Sequence, residues 1–277
     1  MSEATHRAAV TERAARAGGI VAKKQFRTTL TVETKSSETD VVTNADREAQ
    51  EQVLATIGQE FSGARVVCEE DQAAVAGVDI EILDSVPDSG DAWVVDPIDG
   101  TANYANEIRF WATSVAAVSG GEPVAGATYL PSIGDIYTAG PESVSRNDEP
   151  MTVSEEADPD AFTVGLLGRW SPEDSTRHGT FIRETTARFG DGRRFGSMQG
   201  VLAFVAAGNL EAAIMPDPPE PWDSIAGVHL LRRAGGTATT VDGDRWRHDA
   251  GPLVVSNGHC HDRVCAVAQA CLDAVET

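Results

Sequence analysis

The sequence predicts a mixed α/β fold of the α+β kind. Helical and strand-like segments occur in both halves of the chain, one central stretch alternates like an antiparallel meander, and no internal repeat or low-complexity tract is present. With 277 residues, 41% of them apolar, the chain can bury a sizeable core. At ~150 residues per domain, that length makes one large domain or two small ones.

Residues 4–24 are alanine-rich, with Val10, Ala14, Ala15 and Ile20 at helical spacing. Residues 27–34 (RTTLTVET) are β-prone. A second helix is expected over 44–58, with Asn44 as its N-cap and Gly58 as its stop. An apolar strand follows at 64–68. Residues 71–91 carry six acids and read as a solvated acidic loop with a possible short helix. The run AWVVD (92–96) reads as a buried strand that Pro97 ends by removing a ladder donor. Residues 112–139, with Gly120-Gly121, make the meander. The segment 140–160 is rich in Pro, Glu, Asp and Ser and marks a boundary, so we divide the chain at 1–150 and 151–277. Beyond it we expect a strand at 163–167, helices over 172–189 and 200–207, a strand at 212–215, a helix at 225–234, a strand at 238–241 and a final helix over 262–275.

Acids outnumber bases 43 to 22, a formal net charge of −21, and Lys23, Lys24 and Lys35 are the only lysines. No basic face can be assembled for nucleic acid, and adhesion to an anionic membrane is disfavoured. Spread along the whole chain, the acids suit a halophile's cytoplasm, where salt screens self-repulsion. No run approaches the ~20 apolar residues of a membrane span, and the N-terminus lacks an apolar signal core. The four cysteines (Cys68, Cys260, Cys265, Cys271) are too few for a disulfide scaffold, so free thiols and a cytoplasmic location are expected. His259, Cys260, His261, Cys265 and Cys271 fit no standard zinc spacing.

Chemistry concentrates in D-P-I-D-G-T, residues 96–101. Asp96 and Asp99 on a strand-end turn can converge on one point, which suits a hard divalent cation completed by a backbone carbonyl. The N–H groups of Gly100 and Thr101, at a helix start, would face a phosphate. An ordinary Asp-Pro turn accounts for two of these residues but not for all six. Three further acidic segments accompany it: T-D-V-V-T-N-A-D (39–46), V-V-C-E-E-D (66–71) and E-P-W-D-S-I-A-G (220–227). Taken singly, each reads as a helix or strand terminus.

In this order and at these separations, the four segments resemble the inositol monophosphatase family of the lithium-sensitive, Mg²⁺-dependent sugar phosphatases, a superfamily that includes fructose-1,6-bisphosphatases. The resemblance runs from about Lys35 to the final helix. It implies a layered αβαβα sandwich, a homodimer and two or three Mg²⁺ ions per site. Glu69, Asp96 and the Ile98 carbonyl would ligate one ion, and Asp96, Asp99 and Asp223 a second. Glu70 is the alternative to Glu69. A third, weaker ion would use Glu69 and waters. Asp46 and Thr101 resemble the pair that orients and deprotonates the attacking water. The substrate would be a small phosphate monoester, contacted by Gly100, Thr101, Gly196, Ser197, Asp223 and Lys35.

Two departures bear on specificity. Where the family often carries a Glu toward the inositol ring, this chain has Pro216, with Asp217 or Glu220 as the substitute. Residues 140–152 lack the usual glycine-rich hairpin with an Asn-Gly turn, Asn147-Asp148 being its possible remnant. The expected activity is hydrolysis of inositol-1-phosphate, fructose-1,6-bisphosphate or both. A 3′-phosphoadenosine-5′-phosphate phosphatase and a catalytically inactive metal-binding interaction protein are the competing readings.

Overall fold

Helix α1 (Glu3–Gln25) opens the chain, capped by the Ser2 side chain, which accepts from the Thr5 N–H. The computed structural model describes residues 2–28, 32–34, 41–71, 75, 77–168 and 174–274; Lys35 lies outside them. Strands β1 (Val32–Thr34) and β2 (Val41–Thr43) pair antiparallel and lead into α2 (Asn44–Glu60). Then follow β3 (Ala64–Cys68), β4 (Ile80–Ile82), β5 (Asp91–Asp99), the short α3 (Thr101–Ala105), β6 (Ala112–Ser119), β7 (Glu122–Leu130), β8 (Asp135–Ala139), β9 (Val144–Arg146) and β10 (Glu149–Pro150). These strands form an eight-stranded sheet in the order β10-β9-β8-β7-β6-β5-β3-β4, parallel at β4-β3-β5 and antiparallel elsewhere.

The second half contributes β11 (Thr163–Leu166), α4 (Ser175–Arg188), β12 (Asp191–Arg193), α5 (Met198–Ala206), β13 (Ala212–Met215), α6 (Pro221–Arg233), β14 (Thr237–Thr239), β15 (Leu253–Ser256) and α7 (His261–Asp273). Its five strands are ordered β12-β11-β13-β15-β14. Packing makes five layers. Helices α1 and α2 cover the outer face of the large sheet, burying Val10, Ala14, Val53, Leu54 and Ile57 against Val66, Trp93 and Val95. Helices α5 and α6 lie between the two sheets, and α4 with α7 closes the far face of the small sheet. The expected αβαβα sandwich is therefore the architecture observed. One apolar core joins residues of both halves, from Ala112 and Leu130 to Val201, Leu230 and Val255.

Several local expectations are corrected. The N-cap of α2 is Thr43 rather than Asn44, and the helix runs through Gly58 to Glu60. Pro97 does not end β5: the register shifts between Asp96 and Asp99, and the strand resumes by pairing Asp99 with Ala112. A proline at such an irregularity has no ladder bond to lose. The acidic stretch 71–91 contains β4, and the boundary segment contains the β9–β10 hairpin. Its turn residues Asn147 and Asp148 both have positive φ (51° and 68°), as a two-residue hairpin loop requires.

Candidate active site

Parallel pairing of β3 with β5 sets Cys68 beside Val95, and the Glu69 N–H donates to the Val95 carbonyl at 3.2 Å. Glu69 and Asp96 thus leave the sheet at the same level, at the carboxyl ends of two parallel strands. Open sheets collect ligands at such ends. Asp99 follows across the bulge, and Asp223 arrives from the first turn of α6. One carboxylate oxygen from each of Asp96, Asp99 and Asp223 lies within 4.8 Å of the others. Asp96 and Asp99 are buried, and Asp96 Oδ1 has no hydrogen-bond partner. Glu69 stands in hydrogen-bond contact with Asp96.

Burial, then the neighbouring charges of Glu69, Asp99 and Asp223, push the Asp96 carboxyl well above the ordinary carboxylate range. Asp99 is pushed up to about 6 by burial, against the hydrogen bonds it receives from the N-terminus of α5. Ser197 Oγ donates to Asp99 Oδ2, the Met198 N–H to Oδ1 at 2.8 Å, and the Gly200 N–H to Oδ2 at 3.2 Å. Concentrated buried carboxylates with one orphaned oxygen are costly unless a cation joins them. The donor set is all oxygen, which fits a hard divalent ion.

The second constellation is Asp46 with Thr101. Asp46 is the third residue of α2, where it closes a capping box: its Oδ2 accepts from the Thr43 N–H (2.8 Å) and Thr43 Oγ1 (2.6 Å). Its Oδ1 accepts from Thr101 Oγ1 at 3.1 Å, and the same hydroxyl lies 3.0 Å from the Ile98 carbonyl. Burial pushes Asp46 up to about 7, helped by the Glu69 and Glu70 charges and opposed by the Thr43 hydrogen bonds. Glu70 is buried, with Gln50 binding its backbone N–H and carbonyl.

The structure therefore brings Asp46, Glu69, Asp96, Ile98, Asp99, Thr101 and Asp223 into one locality. Gly100 is the left-handed N-cap of α3 (φ +90°), and a Cβ there would lie 2.8 Å from the Gly196 carbonyl. Gly196 (φ +79°) admits the Asn103 side chain, which donates to the Phe110 and Phe195 carbonyls at 2.7 Å each. The neighbour that Gly196 accommodates here is thus Asn103, and Ser197 serves Asp99. Sequence reasoning missed Gln199, which is buried and donates to the Trp222 carbonyl at 2.6 Å while accepting from the Gly227 N–H at 2.7 Å. It fixes the turn of α6 that carries Asp223. A glutamine inside an otherwise apolar helix was the available signal. Among the described residues Asp96, Asp99 and Asp223 are the one group of three or more His, Cys, Asp or Glu whose ligand atoms converge in this way.

The sequence profile of the inositol monophosphatase family matches residues 3–273. The chain belongs to this family. It is accordingly a phosphatase. It is 32% identical over 216 residues to an inositol-1-monophosphatase of Bacillus subtilis, spanning 78% of each chain. It is 29% identical over 246 residues to a fructose-1,6-bisphosphatase/inositol-1-monophosphatase of Thermotoga maritima, spanning 88% of each. The fold superposes on a solved Thermotoga maritima inositol monophosphatase with a TM-score of 0.82 at 26% identity, covering 95% of this chain and 96% of that one. No helix among the described residues is long and apolar enough to cross a membrane.

Proposed function

We propose that the chain is a Mg²⁺-dependent hydrolase of an inositol or sugar phosphate monoester, acting on inositol-1-phosphate, fructose-1,6-bisphosphate or both. The convergence of Asp96, Asp99 and Asp223, with Asp96 Oδ1 lacking any protein partner, carries this reading. These three would hold the ions together with Glu69 and the Ile98 carbonyl, two or three ions in all. When bound, such ions neutralise the phosphate and acidify a water. The chain's own contribution is proton handling and orientation. Thr101 Oγ1 holds the attacking water and passes its own proton to Asp46 as it takes one from that water. With its pKa near neutral, Asp46 can accept that proton at physiological pH. Gly100 and Thr101, opening α3, would meet the phosphate. Asp223, Gly196 and Ser197 would border the rest of the substrate, with Lys35 as a further contact. The reading extends to a cytoplasmic homodimer with no nucleic-acid partner, which sedimentation and DNA-binding measurements check.

The test is a phosphate-release panel in molar KCl with Mg²⁺, using inositol-1-phosphate, fructose-1,6-bisphosphate, glycerol phosphates and 3′-phosphoadenosine-5′-phosphate. Release from one of the first two, lost in EDTA, supports the proposal. Preferential release from the nucleotide would replace the substrate class, and release from none would leave the metal-binding interaction protein as the reading.

A further inference from the structure

Strand β3 ends at Cys68, and the next backbone donor, the Glu69 N–H, still reaches β5 at the Val95 carbonyl, 3.2 Å away. Glu70 lies one residue further on, past the end of the ladder. It is nevertheless buried, so its backbone groups need partners from elsewhere. Gln50 of α2 serves both of them. Its Oε1 accepts from the Glu70 N–H at 3.0 Å, and its Nε2 donates to the Glu70 carbonyl at 2.8 Å. The same carbonyl accepts from Cys68 Sγ at 3.6 Å. Gln50 itself has no exposed surface. A side-chain amide carries both an acceptor and a donor, so it can stand in for a strand neighbour; an ionised carboxylate of the same length could only accept.

This clamp bears on Glu69 through the backbone. The Glu69 Cα joins two rigid peptide planes. One carries the Glu69 N–H and is held by the Val95 carbonyl; the other carries the Glu70 N–H and is held by Gln50. With both planes fixed, the direction in which the Glu69 side chain leaves the backbone is fixed as well. That side chain is hydrogen-bonded to Asp96, while Glu70 lies near enough to Asp46 for its charge to bear there. Gln50 follows Asp46 by one helical turn, on the same face of α2. One helix face therefore presents both the carboxylate that meets Thr101 and the amide that holds the end of β3.

We propose that Gln50 is a positioning residue that aims Glu69 at the Asp96 cluster and thereby sets the affinity of the site for Mg²⁺. The proposal rests on the reading of Glu69 as a metal-binding residue given above and deepens it. Partners one step removed from a metal commonly govern its affinity by ~10–100-fold. The hydrogen bonds from α5 to Asp99 and from Gln199 to the start of α6 do not pass through Gln50, so its loss should weaken the ion site without dismantling it.

The experiment titrates Mg²⁺ alone into the full, metal-free chain in molar KCl at pH 8, followed by calorimetry. For Gln50→Met, which keeps the length and removes both hydrogen bonds, the dissociation constant for Mg²⁺ should rise about 10-fold. Gln50→Asn keeps the amide but falls one methylene short of Glu70; it should weaken Mg²⁺ in the same direction, and it stands in should Gln50→Met fail to fold. Val53→Ala opens a cavity in the same buried face of α2. It should lower Tm and leave Mg²⁺ affinity within about twofold, a result that a merely structural role for Gln50 would share. At Mg²⁺ concentrations saturating for each protein, KM for inositol-1-phosphate should stay within about twofold in both Gln50 variants. Mg²⁺ affinity unchanged in the Gln50 variants, or weakened as much by Val53→Ala, would overturn the proposal while leaving the phosphatase reading in place. A wild type that binds no Mg²⁺ would remove the metal reading, and this proposal with it.

Discussion

Replacing Asp96 by Asn should stabilise the metal-free protein while abolishing its activity. Asp96 is 1% exposed and shares a 4.8 Å cluster with Asp99 and Asp223, with Glu69 against it as well. At an effective dielectric of ~20, two unit charges at that separation repel by about 3 kcal/mol. Full ionisation would roughly double this for Asp96, which faces two such neighbours. Protonation relieves part of it, because every raised pKa in the cluster means that some carboxylates carry a proton. A net gain of ~3 kcal/mol at pH 8 is the expectation for Asp96→Asn, or a rise of roughly 6 °C in Tm for a chain of this size.

The sign follows from linkage. Folded-state pKa values raised above the unfolded 3.8, to about 6 for Asp99 and about 7 for Asp46, mean that the folded chain binds more protons than the unfolded one. Without metal, stability therefore increases as pH falls from about 8 through those values. Differential scanning calorimetry in EDTA and molar KCl, at pH 8 and pH 5.5, measures this. The wild type should melt higher at pH 5.5 than at pH 8. Mg²⁺ should raise its Tm at pH 8, and Asp96→Asn should show a higher baseline with little response to Mg²⁺. A variant less stable than wild type in EDTA at pH 8, or one that keeps the full Mg²⁺ shift, would refute the argument.

Asp46→Asn should cut kcat by ~10²–10⁴-fold while preserving the Mg²⁺-induced Tm shift, because it removes the proposed proton acceptor and leaves the Asp96 cluster intact. Gly196→Ala should cost ~1–3 kcal/mol in denaturant melts, since the new Cβ would lie 2.9 Å from Asn103 Oδ1 at a φ of +79°. His229, buried in α6 with Nε2 unpartnered, is pushed down to about 4 by burial and by Arg233 and Arg232. Its folded pKa lies below the unfolded 6.5, so it withdraws stability as pH falls from about 6.5 toward 4. His229→Gln should flatten that part of the pH–stability profile, read by urea midpoints. Lowering KCl from molar to ~0.1 M should lower Tm, because a net charge of −21 is then less screened; an unchanged Tm would count against the saline reading of the surface.

Much of the fold was legible locally. The strand over 64–68 was placed at its observed limits because an apolar run is bracketed by Gly63 and the acids that follow. The meander was visible in its alternation and its Gly-Gly turn. The converging carboxylates Asp96, Asp99 and Asp223 were legible because β5 and the start of α6 each carry a compact signature. Errors arose where a non-local partner decides. Pro97 looked like a strand end, but β6 supplies a register shift that passes it, and Thr113 Oγ1 donates to its carbonyl at 2.7 Å. Strands β4 and β12, three residues each at sheet edges, carry too little pattern to stand out from loop. The Thr43 cap, by contrast, was written in T-N-A-D and could have been read from the capping-box spacing.

The side chains whose positioning roles escaped reading share one property. Ser197, Gln199 and Gln50 each act on a carboxylate or backbone group far away in sequence, and the first two stand on the helices of the second half. The first half supplies Glu69, Asp96 and Asp99, yet Asp99 takes its hydrogen bonds from the N-terminus of α5, and Asp223 stands on α6. The helical layer between the two sheets is therefore part of the site as well as of the core. A perturbation that separates α5 from β5 would unpair Asp99 and displace Asp223 together. Metal affinity and the packing between the two halves should accordingly be lost in a single transition, and Mg²⁺ should protect both.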